Sequence, residues 1–254
     1  MGADRVRSGS DQHLTLLVEI VPTGQWSDST LLLCAASALH GFLRNSHLAD
    51  EIGFCSQPVI MPNRRRLYVP GVSLHVRQRG NNRCAIFGDD RDYESYLVML
   101  QSATDRYRVQ VHEYSLMTTH THLLLTPTTA YGTVKAMHQL GIRYVLYFNH
   151  KYNRVGTLWT GRYKAKPIDD ERYWLTCLRY IAQNPVRARL TIEPDQYRWS
   201  SYRARAFGEG GEWLSSHALL DSLGENTEQR QAAYRALCAV PLTITQVVRQ
   251  QLTD

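Results

Sequence analysis

From Leu67 onward, apolar and polar positions fall into blocks whose period switches between two and about 3.6 residues, the texture of an α+β domain. Val72 to Gln78 alternates as a strand does and runs into the turn Gly80-Asn81-Asn82. Asp89 and Asp90 then stand where helix caps stand, ahead of a helix predicted to about Arg106. Val109 to Met117 and Thr121 to Thr126 read as two strands with a turn between them. Val134, Met137, Gly141, Tyr144, Val145 and Phe148 recur at helical spacing and predict a second helix from about Tyr131 to Tyr152. After Gly156, Leu158 to Ile168 supplies another strand, and Asp169 and Asp170 cap a third helix that Pro185 should stop. This order predicts an α+β fold of the ferredoxin-like or RRM-like kind, an antiparallel sheet with helices on one face.

The flanks are less informative. Residues 1 to 60 hold a polar start and two apolar patches, Leu14 to Val21 and Leu31 to Leu43, and carry no assignable role. Residues 61 to 207 form the patterned domain, and 208 to 254 a C-terminal extension with helical texture from Glu228 to Cys238 and near Gln246 to Leu252. With 43% hydrophobic and 20% charged residues, the chain of 254 can bury an ordinary core and is not disordered in composition. Its five cysteines are scattered without a C-x-x-C pair, which argues against a zinc knuckle or a disulfide framework. No apolar run is long enough to span a bilayer, and the expectation is a reduced, cytoplasmic protein.

Charge changes the picture. The formal net charge is +6, and the excess is concentrated: Met61 to Arg83 contains Arg64, Arg65, Arg66, Arg77, Arg79 and Arg83 with no acidic residue. Such a stretch suits a polyanionic partner, and it equally suits a solvated basic face.

The sharpest local feature is His120-Thr121-His122. On a strand, side chains alternate faces, so the two imidazoles project to the same side and can share one metal ion, while Leu123 and Leu125 face the other way as a core demands. A core or surface histidine pair is the competing reading. The predicted helix after Asp170 carries Tyr173, Cys177, Tyr180 and Asn184 along one face. Tyr180 and Asn184, one turn apart, can supply a hydroxyl nucleophile and an amide oxygen to the same ion; a buried aromatic stripe ending in a cap explains the spacing as well. His75, His112 and His138 are isolated in sequence, and a structural or exposed role is expected for each.

Five ordered blocks tip the balance. They are Arg66-Leu-Tyr-Val-Pro-Gly-Val-Ser-Leu-His-Val-Arg-Gln-Arg-Gly-Asn-Asn82, the His-Thr-His strand, Gly156-Thr-Leu-Trp-Thr-Gly-Arg-Tyr-Lys-Ala165, Arg179-Tyr-Ile-Ala-Gln-Asn-Pro-Val-Arg-Ala188 and Tyr197-Arg-Trp-Ser-Ser-Tyr202. From about Met61 to Phe207 the chain resembles the REP-associated tyrosine transposases, a branch of the single-tyrosine HUH transposases. The resemblance implies the HUH endonuclease fold, a divalent metal (Mg2+ or Mn2+) on His120 and His122 with Asn184 the candidate third ligand, and Tyr180 as nucleophile. It implies cleavage of single-stranded DNA at or near palindromic hairpins, REP elements among them, through a covalent 5′-phosphotyrosine, followed by strand transfer. The chain departs from the family pattern at Thr121, where a large apolar residue is usual, and at Thr118-Thr119, where Pro-Asn is frequent.

The residue types suit that chemistry. Deprotonating a tyrosine at pH 7 costs about 4 kcal/mol, so a site must help it. Imidazole with oxygen donors suits manganese as well as magnesium. Arg64, Arg65, Arg66, Arg77 and Arg79 can neutralise phosphates. Trp159 and Trp199 sit beside Arg162, Lys164 and Arg198, an interleaving that permits base stacking with backbone contacts, although packing under the sheet explains these aromatics equally well. A nucleoid-associated monomer is the expectation. The alternative function is a catalytically weak hairpin-binding or regulatory protein of the same fold; a water-using metal hydrolase lacks an acidic cluster for a second ion.

Overall fold

The computed structural model describes residues 66–250. The sequence elements form where alternation and capping place them. Strand β1 (Ser73–Arg79) leads through a tight turn to helix α1 (Asp90–Arg106), then β2 (Val109–Met117), β3 (His120–Pro127), helix α2 (Gly132–Lys151), β4 (Lys164–Ile168) and helix α3 (Glu171–Ala182). The four strands make one antiparallel sheet in the order β2-β3-β1-β4. Short helices α4 (Asn184–Arg187), α5 (Tyr202–Phe207) and α6 (Ala218–Asp221) follow, then α7 (Thr227–Ala239) and α8 (Ile244–Gln250).

Local chemistry explains the boundaries. Asp89 caps α1 through a reciprocal box with Asp92, and Asp170 caps α3 by accepting from Arg172 N at 2.8 Å. Buried Asp92 also accepts from Lys151 Nζ at 2.6 Å, Tyr147 OH at 2.9 Å and Tyr152 OH at 2.8 Å, which ties the start of α1 to the end of α2. Gly80 is held so close to its own turn that a Cβ there would meet Cys84 O at 2.5 Å. The helix carrying Tyr180 ends at Ala182, as Pro185 demands, but a fresh helical turn begins at Asn184, because a proline at a first helical position forfeits no hydrogen bond. The expected strand over Leu158 to Ile168 forms only from Lys164; Leu158, Trp159 and Tyr163 are apolar because they plug the core.

Parity along the strands assigns the two faces. Leu74, Val76, Leu123 and Leu125 pack with the buried stripes of α1 and α2 into one core, so this face carries the two long helices. Leu124 and Ile168 face the opposite way and pack with Tyr173, Trp174, Cys177, Leu178 and Ile181 of α3, joined by Leu220, Tyr234 and Cys238 from the C-terminal helices. A bulge between Val111 and Glu113 switches the parity of β2, keeping Val111 on the first face and turning Glu113 toward the second. The outer edge of β2 is covered by Trp199 to Ser201, through Leu116 N to Trp199 O at 2.9 Å and Ser201 N to Tyr114 O at 3.0 Å.

Candidate active site

Register builds the site. Across the β1/β3 pairing, Arg77 stands opposite His122 and Arg79 opposite His120; across β1/β4, Lys166 stands opposite His75 and Lys164 opposite Arg77. Directly opposed residues share a face. His75, Arg77, Arg79, His120, His122, Lys164 and Lys166 therefore all lie on the face that receives α3, which brings in Tyr180.

The rings meet there. His120 and His122 lie 4.9 Å apart between centroids, and the Tyr180 ring stands edge-on to His122 at 5.5 Å and to His75 at 5.7 Å. His122 and Tyr180 are buried, at 2% and 6% exposure, while His120 is half-buried and forms the open side. His122 Nδ1 shares a hydrogen bond with His75 Nε2 at 2.9 Å, and His120 Nδ1 shares one with Thr119 Oγ1 at 3.1 Å. Both imidazoles thus spend Nδ1 on the protein, so a metal ion held by either would be met by its Nε2. Burial first, then His75, His120, Arg77 and Arg79, pushes His122 far below the usual histidine range. Burial, with Arg77 and Lys166 adding, brings His75 down to about 3. Both rings are neutral at pH 7, the form that can ligate or accept a hydrogen bond.

Asn184 opens α4, one turn beyond Tyr180, and is buried with no partner for its Nδ2. A half-turn of the amide presents its oxygen in that position instead. Among the described residues no group of three or more His, Cys, Asp or Glu gathers, and a carboxamide, the phenol, water or a phosphate could complete the shell of a divalent ion on the histidine pair. The donors present are neutral and of the type such ions accept, and the residues fit one.

Two departures from the family pattern find local explanations. Thr121 points to the helical face, fully buried, with Oγ1 3.3 Å from the Tyr96 hydroxyl. Thr119 holds His120, and the turn it occupies is anchored by Gly80 N to Thr119 O at 2.9 Å and Ile86 N to Thr118 O at 2.8 Å.

The other predicted residues scatter. Arg64 and Arg65 lie outside the described residues. Arg66 donates to Tyr163 O and lies over the Tyr163 ring, 5.0 Å from its centroid, away from the histidines. It lines, with Trp159, Arg162 and Gln78, a mostly apolar hollow of about 850 Å³ beside α2. That hollow is on the helical side and has no part of the histidine cluster. Trp159 is 7% exposed and packed near Tyr144, so the packing alternative holds for it. Trp199 is stacked on Tyr93 at 4.5 Å with the Arg198 guanidinium 4.6 Å from its centroid, which occupies both of its faces. Lys164 does join the histidine face.

Lys166, Arg187 and Gln250 of this region escaped the sequence reading, and His75 entered it only as an isolated histidine with a structural or exposed role. His75 bridges to His122, and Lys166 continues the basic stripe; only the strand register could have found them. Arg187 sits over the Tyr180 ring at 4.9 Å, three residues past Asn184 on the next turn of helix. Gln250, from α8, is fully buried and reaches His75 from the far side. His112 is likewise no isolated histidine: its Nε2 bonds Thr126 Oγ1 at 2.8 Å, and burial lowers it to about 4.

Comparison with known proteins finds similar sequences and structures. A REP-associated tyrosine transposase solved bound to a REP hairpin is similar at 16% identity and TM-score 0.46, covering 62% of this chain and 96% of that one. A candidate transposase from Deinococcus radiodurans is similar at 21% identity and TM-score 0.33, covering 43% of this chain and 88% of that one. No curated protein matches the sequence. The description of the IS200-like transposases matches residues 68–184, the span that contains the whole sheet, the histidine pair and Tyr180. Through that span, the chain is similar to the IS200-like transposases.

Proposed function

We propose that this protein cleaves and rejoins single-stranded DNA at hairpins, with Tyr180 as the nucleophile and His120, His122 and Asn184 as the ligands of a divalent metal. The observation that carries this reading is the edge-on contact of the Tyr180 ring with His122 inside a cluster in which the Nδ1 atoms of His120 and His122 are already engaged. The five sequence blocks shared with the REP-associated branch support a palindromic hairpin as target, and Mn2+ or Mg2+ as the ion. When bound, that ion would polarise the scissile phosphate and stabilise charge on its oxygens.

The remaining work falls to the chain. The Tyr180 oxygen attacks phosphorus, forming a phosphotyrosine on the 5′ side of the cut while the 3′-oxygen leaves with the bonding electrons and takes up a proton. One phosphodiester replaces another, so a 3′-hydroxyl can reverse the exchange on a different strand without ATP. Arg77 and Arg79, opposite the two histidines, are placed to hold the backbone beside the break, and Arg187 to draw a phosphate toward the phenol.

Incubation of the protein with hairpin single strands and Mn2+ tests the reading. A denaturation-resistant protein-DNA adduct is expected, lost in Tyr180→Phe with hairpin affinity retained. The burial of Tyr180 and Asn184 favours a second reading, a hairpin-binding protein with little cleavage. Tight hairpin binding with no adduct in either metal would decide for it.

A further inference from the structure

We infer that His75 is a positioning residue that fixes the tautomer of His122, accepting a hydrogen bond from His122 Nδ1–H at its own Nε2 and thereby turning the His122 Nε2 lone pair toward the shared ion. The inference rests on the proposed metal role of His120 and His122.

The geometry leaves few alternatives. His75 is fully buried on β1, two residues before Arg77, which is the cross-strand partner of His122. It is therefore the diagonal neighbour of His122 on one face, within reach of a long side chain. The nitrogens are 2.9 Å apart, the rings stack at 5.1 Å between centroids with 29° between planes, and two nitrogens at that distance must share one proton between them. Only two tautomeric arrangements of neutral rings satisfy the contact. Were His75 to donate, His122 would carry its proton on Nε2 and have no lone pair left to give an ion. With His122 donating, Nε2 is the ligating atom, and the remaining proton of His75 lies on Nδ1. That atom has no full hydrogen bond in the protein, yet it faces the Gln250 amide, whose two polar atoms are also buried and unpartnered. A glutamine amide can accept from that nitrogen or donate to it, so it suits either arrangement, and the direction follows from the metal role: only a His122 that donates at Nδ1 keeps a lone pair on Nε2.

The comparison with His120 sharpens the role. There the Nδ1 partner is Thr119 Oγ1, a rotor that donates or accepts at will and imposes no tautomer. A second imidazole can reverse its role only by moving its proton to the other ring nitrogen, which makes it a stiffer partner than a hydroxyl rotor. His122, the buried member of the pair, gets the stiff support, and the half-buried His120 gets the adaptable one.

Two measurements decide it. Long-range 15N–1H spectra of the metal-free protein with labelled histidine, assigned through His122→Gln, should show His122 protonated at Nδ1; protonation at Nε2 overturns the inference without any substitution at His75. Mn2+ alone, titrated by electron paramagnetic resonance, should bind roughly 10–100-fold more weakly to His75→Leu, with most of the loss regained in His75→Gln, whose amide oxygen can accept the same proton. His122→Ala separates the two levels. Binding lost in His122→Ala but unchanged in His75→Leu overturns the positioning role alone, whereas a wild type that takes up no Mn2+ even with a hairpin strand bound, or a His122→Ala variant that binds as wild type does, overturns the metal reading beneath it.

Discussion

Glu113 offers the sharpest test of how the C-terminal helices are joined to the sheet. The bulge in β2 turns its carboxyl into the second core, fully buried, where Ser201 Oγ donates to Oε1 at 2.5 Å and Tyr234 OH donates at 3.1 Å, while Oε2 has no partner. Burial raises its pKa from 4.5 to about 7, against the lowering effects of Ser201, Arg205 and Tyr234. The sign follows from proton counting: between those two values the folded chain holds a proton that the unfolded chain has released, so stability falls as pH rises through the interval and the loss is complete above about 7. At 1.36 kcal/mol per pH unit, the cost amounts to roughly 3 kcal/mol at pH 8. Glu113→Gln keeps an acceptor for Ser201 and Tyr234 and removes the titration. Urea unfolding of both proteins from pH 5 to 8.5 should give curves that nearly coincide at the acid end and separate, with the variant more stable, by roughly 3 kcal/mol at pH 8. Buried His75, His112 and His122 act with the opposite sign, since the unfolded chain binds their protons below about 6.5; they contribute equally to both proteins and cancel in the difference. A difference curve that is flat across this range would refute the reasoning, and so would a variant less stable at pH 8.

Two further outcomes separate the DNA surface from the scaffold. Arg77→Gln and Arg79→Gln should each reduce the slope of log affinity against log salt for single-stranded hairpin flanks by about 0.7, measured by fluorescence anisotropy, whereas Arg66→Gln, whose guanidinium is spent on Tyr163, should leave the slope unchanged. Trp159→Ala should cost about 3–5 kcal/mol of stability in chemical denaturation with hairpin affinity near wild type, because the ring fills the first core; a tenfold loss of affinity with stability intact would instead make it a base contact.

How much of this was legible in the chain depends on whether the cause was local. Alternation over His120 to Thr126 placed two imidazoles on one side and Leu123 and Leu125 on the other, and both leucines are in the first core. Caps at Asp89 and Asp170 are short-range hydrogen bonds, and they formed where they were expected. The position of α3, on the sheet face opposite α1 and α2, was not readable, because an amphipathic stripe states that a helix has a partner without stating which side of the sheet supplies it. His75 was invisible for a related reason. A lone histidine on a strand acquires meaning only when the register sets it diagonal to His122, and register is a contract between distant segments. Trp199 misled in the other direction: aromatic and basic residues interleaved in sequence looked like a nucleic-acid surface, yet the interleaving builds a stack of Tyr93, Trp199 and Arg198 along the sheet edge.

The electrostatics of the histidine face carries a consequence for the order of events in the proposed reaction. On the proposed reading the ion would meet two neutral imidazoles and an amide, while Arg77 and Arg79 stand directly across from the imidazoles with Lys164 and Lys166 in the next strand. Donors without charge gain little from Coulomb attraction to a divalent cation, and fixed cations on the same face oppose it at any separation shorter than the screening length, about 8 Å at physiological salt. A phosphate reverses the balance, since one anionic group lies attractively between the guanidinium groups and the ion. Metal and DNA should therefore bind with positive coupling, each raising the affinity of the other by the same factor. On the proposed reading, a site built this way would keep its ion loosely until the strand arrives, which would confine the assembled chemistry to protein that already holds DNA. Were the third donor a carboxylate, the ion would be held in advance and that coupling would shrink; with Asn184 as the proposed donor, a difference of one atom from aspartate would set the sequence of binding.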